Sequence, residues 1–172
     1  MENILNQIAD STNTATLPYV TIIFRILLSL VAGFILGLER KTRLRNIGIR
    51  TLILICVSSA ILMMLSIHVA TINTQKGDPS RIAAQVVSGI GFLGAGAIMR
   101  HGLNVKGLTS AAIIWAASAM GLCIGAGLYV IAFVTLIISV LSLIILEKFE
   151  VKFFPAERLK QLELVFATTE CN

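Results

Sequence analysis

The chain has 172 residues, 56% of them hydrophobic and 13% charged, with a mean hydropathy of +0.90; so small a chain cannot hide that much apolar side chain from water, and lipid must cover the rest. The net charge of +5 does not point to nucleic acid, because the basic residues cluster beside apolar runs, as topology signals and headgroup contacts do. The cysteine count is odd and Cys56 and Cys123 lie inside apolar runs, so no disulfide framework is implied.

Residues 1–18 contain Glu2 and Asp10 and no Lys or Arg. That is the wrong start for a cleaved signal peptide, so the first apolar run is expected to be retained behind an extracytoplasmic segment, 1–19. Five runs then follow, 20–38, 51–72, 82–99, 108–124 and 128–146. Each has roughly the 17 to 25 residues a helix needs to cross about 30 Å of hydrocarbon. They are too long and too uniformly apolar for barrel strands, and in lipid the backbone must satisfy its own hydrogen bonds. The expected fold class is all-α: a polytopic membrane helix bundle with five transmembrane helices over 20–146 and a short cytoplasmic tail, 147–172.

The first span carries Arg25 about one and a half turns from its start, where a cation needs a partner or a water-filled path, and Gly33 and Gly37, spaced for close helix packing. After it come Glu39 and a basic loop, Arg40, Lys41, Arg43, Arg45 and Arg50. A lone acid among cations is expected to pair, here with Arg50 or Arg100, giving an inner polar cluster of Glu39, Arg40, Arg50 and Arg100. The loop itself suits orientation and anionic-lipid contact. His68 lies near the end of the second span. Asp78-Pro79-Ser80 then places an N-cap residue before a proline at the first helical position. With Arg81 and Gln85 close behind, Arg25, His68, Asp78, Arg81 and Gln85 form a candidate outer polar cluster. Snorkelling of Arg25 to the headgroups, with Asp78 as a plain helix cap, is the structural alternative of equal weight.

The third span holds Gly89, Gly91, Gly94 and Gly96. Four glycines in eight residues suit either a helix packed along its whole face or one lining a cavity. They do not suit a nucleotide loop, because no strand precedes them. Gly121 and Gly125 repeat the packing spacing at the end of the fourth span. Trp115, in the middle of that span, needs an acceptor for its indole N–H on another helix. Tyr19 and Tyr129 start spans and fit an interfacial aromatic belt. A single helix over 108–146 would be about 58 Å long, roughly twice the bilayer core, so a tight turn at 125–127 is expected. Residues 147–154 read equally as helix or strand, and 161–168 have strand composition.

Counting basic residues orients the bundle. All but three of the 14 Lys and Arg fall in the first-to-second loop, the third-to-fourth connection with Arg100 and Lys106, and the C-terminal tail; the exceptions are Arg25, Lys76 and Arg81. The N-terminus is therefore expected outside and the C-terminus in the cytoplasm.

Gly37-Leu-Glu-Arg40 followed by a basic loop, the long segment from Asp78-Pro-Ser-Arg-Ile-Ala-Ala-Gln through Gly89-Ile-Gly-Phe-Leu-Gly-Ala-Gly96 to Ile98, and Gly107-Leu-Thr-Ser-Ala-Ala112 with Trp115 together resemble the bacterial MgtC/SapB membrane family. The resemblance covers roughly 25–146 in order. It implies a multi-pass inner-membrane protein linked to magnesium limitation and, in pathogens, to virulence through survival inside macrophages. It also implies a regulatory role, with the ATP synthase as a proposed partner. Fuller members carry a C-terminal soluble module resembling an ACT domain, and this chain reads as a short form that stops where that module's first strand would begin.

Function is narrowed by what the spans lack. No nucleophile–base pair, metal-ligand spacing or phosphate loop is present, so no enzyme, catalytic residue or cofactor is expected. A magnesium site would need oxygen ligands, and between 20 and 146 the sequence offers Glu39 and Asp78, which the topology puts at opposite faces. The expected function is a non-enzymatic modulator that docks on a membrane protein through glycine-rich helix faces. The alternatives are an oligomeric channel or transporter for Mg2+ or another small ion, and a self-associating structural protein. The expected partners are the lipid bilayer, a membrane protein and a second copy of the chain, without nucleic acid; a metal site is left open.

Overall fold

The computed structural model describes residues 19–42, 48–72, 77–101 and 104–153. Five helices run in chain order: α1 Tyr19–Thr42, α2 Ile49–Ile72, α3 Arg81–Gly96, α4 Leu108–Ala126 and α5 Tyr129–Phe153. A short antiparallel hairpin, β1 Met99–His101 and β2 Asn104–Lys106, joins α3 to α4. The fold is all-α, and four of the helices, α1, α2, α4 and α5, are long and apolar enough to cross a membrane.

The third expected span is the exception. Its helix has 16 residues, about 24 Å at 1.5 Å per residue and short of the roughly 30 Å hydrocarbon core. Ile98 and Met99, counted with that span for their apolarity, leave the helix instead. Met99 pairs with Lys106 in the hairpin, followed by Arg100 with Val105 and His101 with Asn104. The hairpin hands over to α4 at Gly107, whose φ of 95° is left-handed. A side chain there is strained, and its Cβ would run into the Ala97 carbonyl.

The chain clusters into two compact units, 1–137 and 138–172. In the first, α1, α2 and α4 pack on one another and α3 lies against α2 and α4. The core mixes small and large apolar residues: Ala32, Leu36, Leu52, Cys56, Ala60, Ala117 and Met120 are buried where the three long helices meet. Glycines set how closely they approach. A Cβ on Gly33 would sit 2.8 Å from Ile53 Cα and one on Gly37 2.7 Å from Ile49 Cα, so α1 meets α2 backbone to backbone. Gly121 and Gly125 do the same for α4 against Cys56 and Ala60 of α2. Such packing stands in for the hydrophobic drive that lipid does not supply. One buried hydrogen bond crosses this contact, between the Ser59 and Ser118 hydroxyls at 2.9 Å.

The turn expected at 125–127 is present: α4 ends on Gly127 at φ 83°, and Leu128 N–H donates to the Cys123 carbonyl, a closure that favours glycine. Of the second unit the described residues are 138–153, the later part of α5. They stay helical through Phe153, which decides the helix-or-strand ambiguity for that stretch. Leu141, Ile145, Leu146 and Phe149 are exposed there, as lipid-facing side chains are. The strand-like 161–168 lies outside the described residues.

Candidate functional site

The buried face of α1 carries polar residues at a four-residue step, Thr21, Arg25 and Ser29, all essentially inaccessible. Arg25, 1% exposed, is held from two other helices. Its Nη1 donates to the Gly125 carbonyl at 2.6 Å and its Nε to the Tyr129 hydroxyl at 3.1 Å. Gly125 lies in the last turn of α4, where carbonyls lack intrahelical amides and the helix dipole is negative. A cation placed there compensates both. The rings of Tyr129 and Phe24 also pack edge to face, with centroids 5.8 Å apart and planes at 81°. Arg25 is therefore not a snorkelling residue but a clamp between α1, the end of α4 and the start of α5.

The other members of the expected outer cluster sit near the end of α2, in the turn before α3 and in α3. His68 is exposed and lines a cleft between α1 and α2. Asp78 and Arg81 come together in the turn before α3, where Arg81 N–H donates to the Asp78 carbonyl at 3.3 Å. The Asp78 carboxylate accepts from the Ser80 backbone N–H at 2.8 Å and the Ser80 hydroxyl at 2.6 Å. These two donors, followed by the nearby Arg81 charge, hold its carboxyl below the ordinary range. Gln85 is exposed one turn into α3.

Asp78 is thus not the helix cap that its place before Pro79 suggests. The N-cap of α3 is Ser80, without a side-chain cap bond. The missing acceptor comes from α2: buried Ser66 accepts from Ile82 N–H at 3.3 Å and donates to the Pro79 carbonyl at 2.5 Å. A lone serine in an apolar run gives no sequence signal of this. It ties the start of α3 to α2.

On the opposite end of the bundle the ion pair shown for Glu39 is with its chain neighbour Arg40, whose side chain is buried. Arg50 is exposed at the start of α2, and Arg100 belongs to β1, its side chain lying outside the described residues. Among the described residues no three His, Cys, Asp or Glu side chains gather as metal ligands would. Trp115, expected to reach an acceptor on a neighbouring helix, is instead 54% exposed on α4.

The glycines of α3 behave unlike those of α1 and α4. A Cβ added at Gly89, Gly91 or Gly96 would meet nothing within 4 Å, and one at Gly94 would touch Ala111 at an ordinary 3.7 Å. Ile90 is the buried residue of the helix, while Phe92 is 83% exposed. Sequence spacing marks all these glycines as packing positions. Within the described residues those of α1 and α4 are used for backbone-close packing, while Gly89, Gly91 and Gly96 of α3 have no neighbour and Gly94 only the ordinary contact with Ala111.

The arrangement can be set beside known proteins. A family model described as the MgtC family matches residues 26–152. The protein named "Putative magnesium transporter YhiD" of Escherichia coli K12 is 42% identical over 131 residues, 74% of this chain and 60% of that protein. "Protein MgtC" of Salmonella typhimurium LT2 is 38% identical over 147 residues, 86% of this chain and 58% of that protein. An uncharacterized protein of Haemophilus influenzae is 42% identical over 132 residues, 71% of this chain and 55% of that protein. The chain thus spans somewhat over half the length of these curated relatives. No solved structure matches. The match of the family model runs from the buried face of α1 through the α3 glycines into α5, and on that match the chain belongs to the MgtC family.

Proposed function

We propose that this chain is a non-enzymatic modulator in the bacterial inner membrane, responding to magnesium limitation by docking on another membrane protein. The observation that carries this reading is that α3 leaves glycines open along its length, with Gly89 and Gly96 on the side of exposed Phe92 and Gly91 on the side away from it. Gly89, Gly91 and Gly96 have nothing against them, although small residues in a membrane helix serve chiefly to let another helix approach. The link to magnesium rests on the family and on the printed name of the Escherichia coli relative. The orientation, with the N-terminus outside and the tail in the cytoplasm, is supported by the basic loop after α1 and by Lys106 before α4, and it needs the 16-residue α3 to cross together with the four longer helices. The ATP synthase and a contribution to virulence are the finer form of the same proposal.

The test is photo-crosslinking in cells from a reactive amino acid at position 92, exposed on α3. A heterologous membrane protein is expected in the adduct, and Gly89→Leu, one turn away on the same side, is expected to abolish it. The Cβ of that substitution would meet no atom within 4 Å. An adduct containing a second copy alone would favour the self-associating reading instead.

A second reading, an oligomeric channel or transporter for Mg2+ or another small ion, is favoured by the name of the Escherichia coli relative. It requires oxygen ligands. The two carboxylates between 20 and 146 are engaged, Glu39 with Arg40 at one end and Asp78 with the Ser80 turn at the other. A ring of several copies would have to supply the site.

A further inference from the structure

The helix pair α1–α2 contains a cleft that the proposed docking does not use. Two stripes face each other along its length: Tyr19, Ile22, Ile26, Gly33 and Gly37 on α1, and Ile49, Ile53, Ile61, Met64, Leu65 and His68 on α2. At one end glycine lets the backbones touch, since a Cβ on Gly33 would lie 2.8 Å from Ile53 Cα. Toward the other end Tyr19, Ile22 and Ile26 on α1 and Ile61, Met64, Leu65 and His68 on α2 line a cleft. The result is a wedge that opens toward the start of α1 and the end of α2, with a volume of about 680 Å3. Met64, buried, forms its floor, Ile61 and Leu65 are exposed on its wall, and Tyr19 and His68 stand at its rim.

Its size, polarity and length specify the occupant. The volume lies in the range of ligand pockets, roughly 300 to 1,000 Å3. The wall is apolar, and the polar groups lining the cleft, a phenol and an imidazole, both sit at the mouth. The lined stretch covers seven residues of rise on each helix, about 10 Å, and then closes at the Gly33 contact. A partner's transmembrane helix needs a surface running toward the full 30 Å or so of the hydrocarbon core, and this cleft ends well short of it. A hydrocarbon tail entering from a single leaflet needs no more than about half that thickness.

We propose that the cleft holds one acyl chain of a membrane phospholipid as a resident ligand. The tail lies on Met64 between Ile26 and Ile61, and the ester and phosphate region reaches the Tyr19 hydroxyl and the His68 imidazole. This assignment stands independently of the docking proposed for α3.

The test uses the full chain in vesicles of phosphatidylethanolamine and phosphatidylglycerol, doped with a phospholipid bearing a diazirine near the end of one acyl chain. After irradiation, adducts at Ile61, Met64 and Leu65 are expected several-fold above those at Phe133 and Ile137, which are exposed on α5. Ile26→Trp, which fills the cleft, is expected to remove the excess and leave the α5 adducts unchanged. Leu65→Trp, at an exposed position, serves where the first variant loses its fold. Equal labelling of α2 and α5 would overturn the proposal, because the cleft would then hold only bulk lipid. An excess that survives a cleft-filling variant would overturn it as well, as would a protein crosslinked there in cells in place of lipid.

Discussion

Gly121→Ala is expected to destabilise the bundle by about 3 kcal/mol, the upper end of the ordinary cost of overpacking a core. The added methyl would fall well inside contact distance of the Cys56 carbonyl and 2.8 Å from Ser59 Cβ. The first of these neighbours is backbone, so no rotamer change relieves the clash and α2 and α4 must separate. Separation would also stretch the Ser59–Ser118 hydrogen bond three residues away. Gly125→Ala should act in the same direction, its Cβ meeting the Ala60 carbonyl at 2.5 Å. Gly89→Ala is the control: it meets nothing within 4 Å, and alanine is the better helix former by about 1 kcal/mol. Unfolding in detergent should therefore rank Gly121→Ala far below the natural chain and Gly89→Ala at or slightly above it.

Arg25→Ala is expected to cost about 3 kcal/mol, because hydrogen bonds to charged groups are worth roughly 1.5–3 kcal/mol each and this guanidinium makes two that join separate helices. Arg25→Lys should recover part of the loss, since an ammonium can still approach the Gly125 carbonyl but lacks the planar fork that reaches Tyr129 at the same time. The pair can be isolated by a double-mutant cycle. Tyr129→Phe removes the acceptor of the Nε bond, and combined with Arg25→Ala it should fall short of additivity by roughly 0.5–1 kcal/mol, within the range for residues in contact. Strict additivity would mean that the Arg25–Tyr129 bond contributes nothing and that α5 is fixed at its start by packing alone, through buried Ala132.

The helices were legible in the sequence because lipid leaves the backbone few options: long apolar runs mark α1, α2, α4 and α5 directly. The end of α3 was not legible, since Ile98 and Met99 are as apolar as a span and the hairpin strands are too short to show alternation. Arg25 announced itself as a residue in need of a partner, but its partners lie 100 and 104 positions away. Neither spacing nor charge counting selects a carbonyl and a phenol over Asp78. The glycines show the same limit: Gly33 and Gly91 look alike in sequence, yet one touches a backbone and the other faces open space. Ser66 gave no sign at all, because its role depends on where Pro79 and Ile82 return to α2.

Under the proposed function the chain acts on a partner and carries no magnesium itself, which Mg2+ entry into sealed vesicles containing the purified chain alone, with a magnesium-sensitive dye inside and an imposed gradient, tests directly. Uptake no faster than in protein-free vesicles is expected, at every protein density and with either sign of membrane potential. Uptake that scales with protein and is lost in Asp78→Ala would contradict it and establish the bundle as a magnesium pathway.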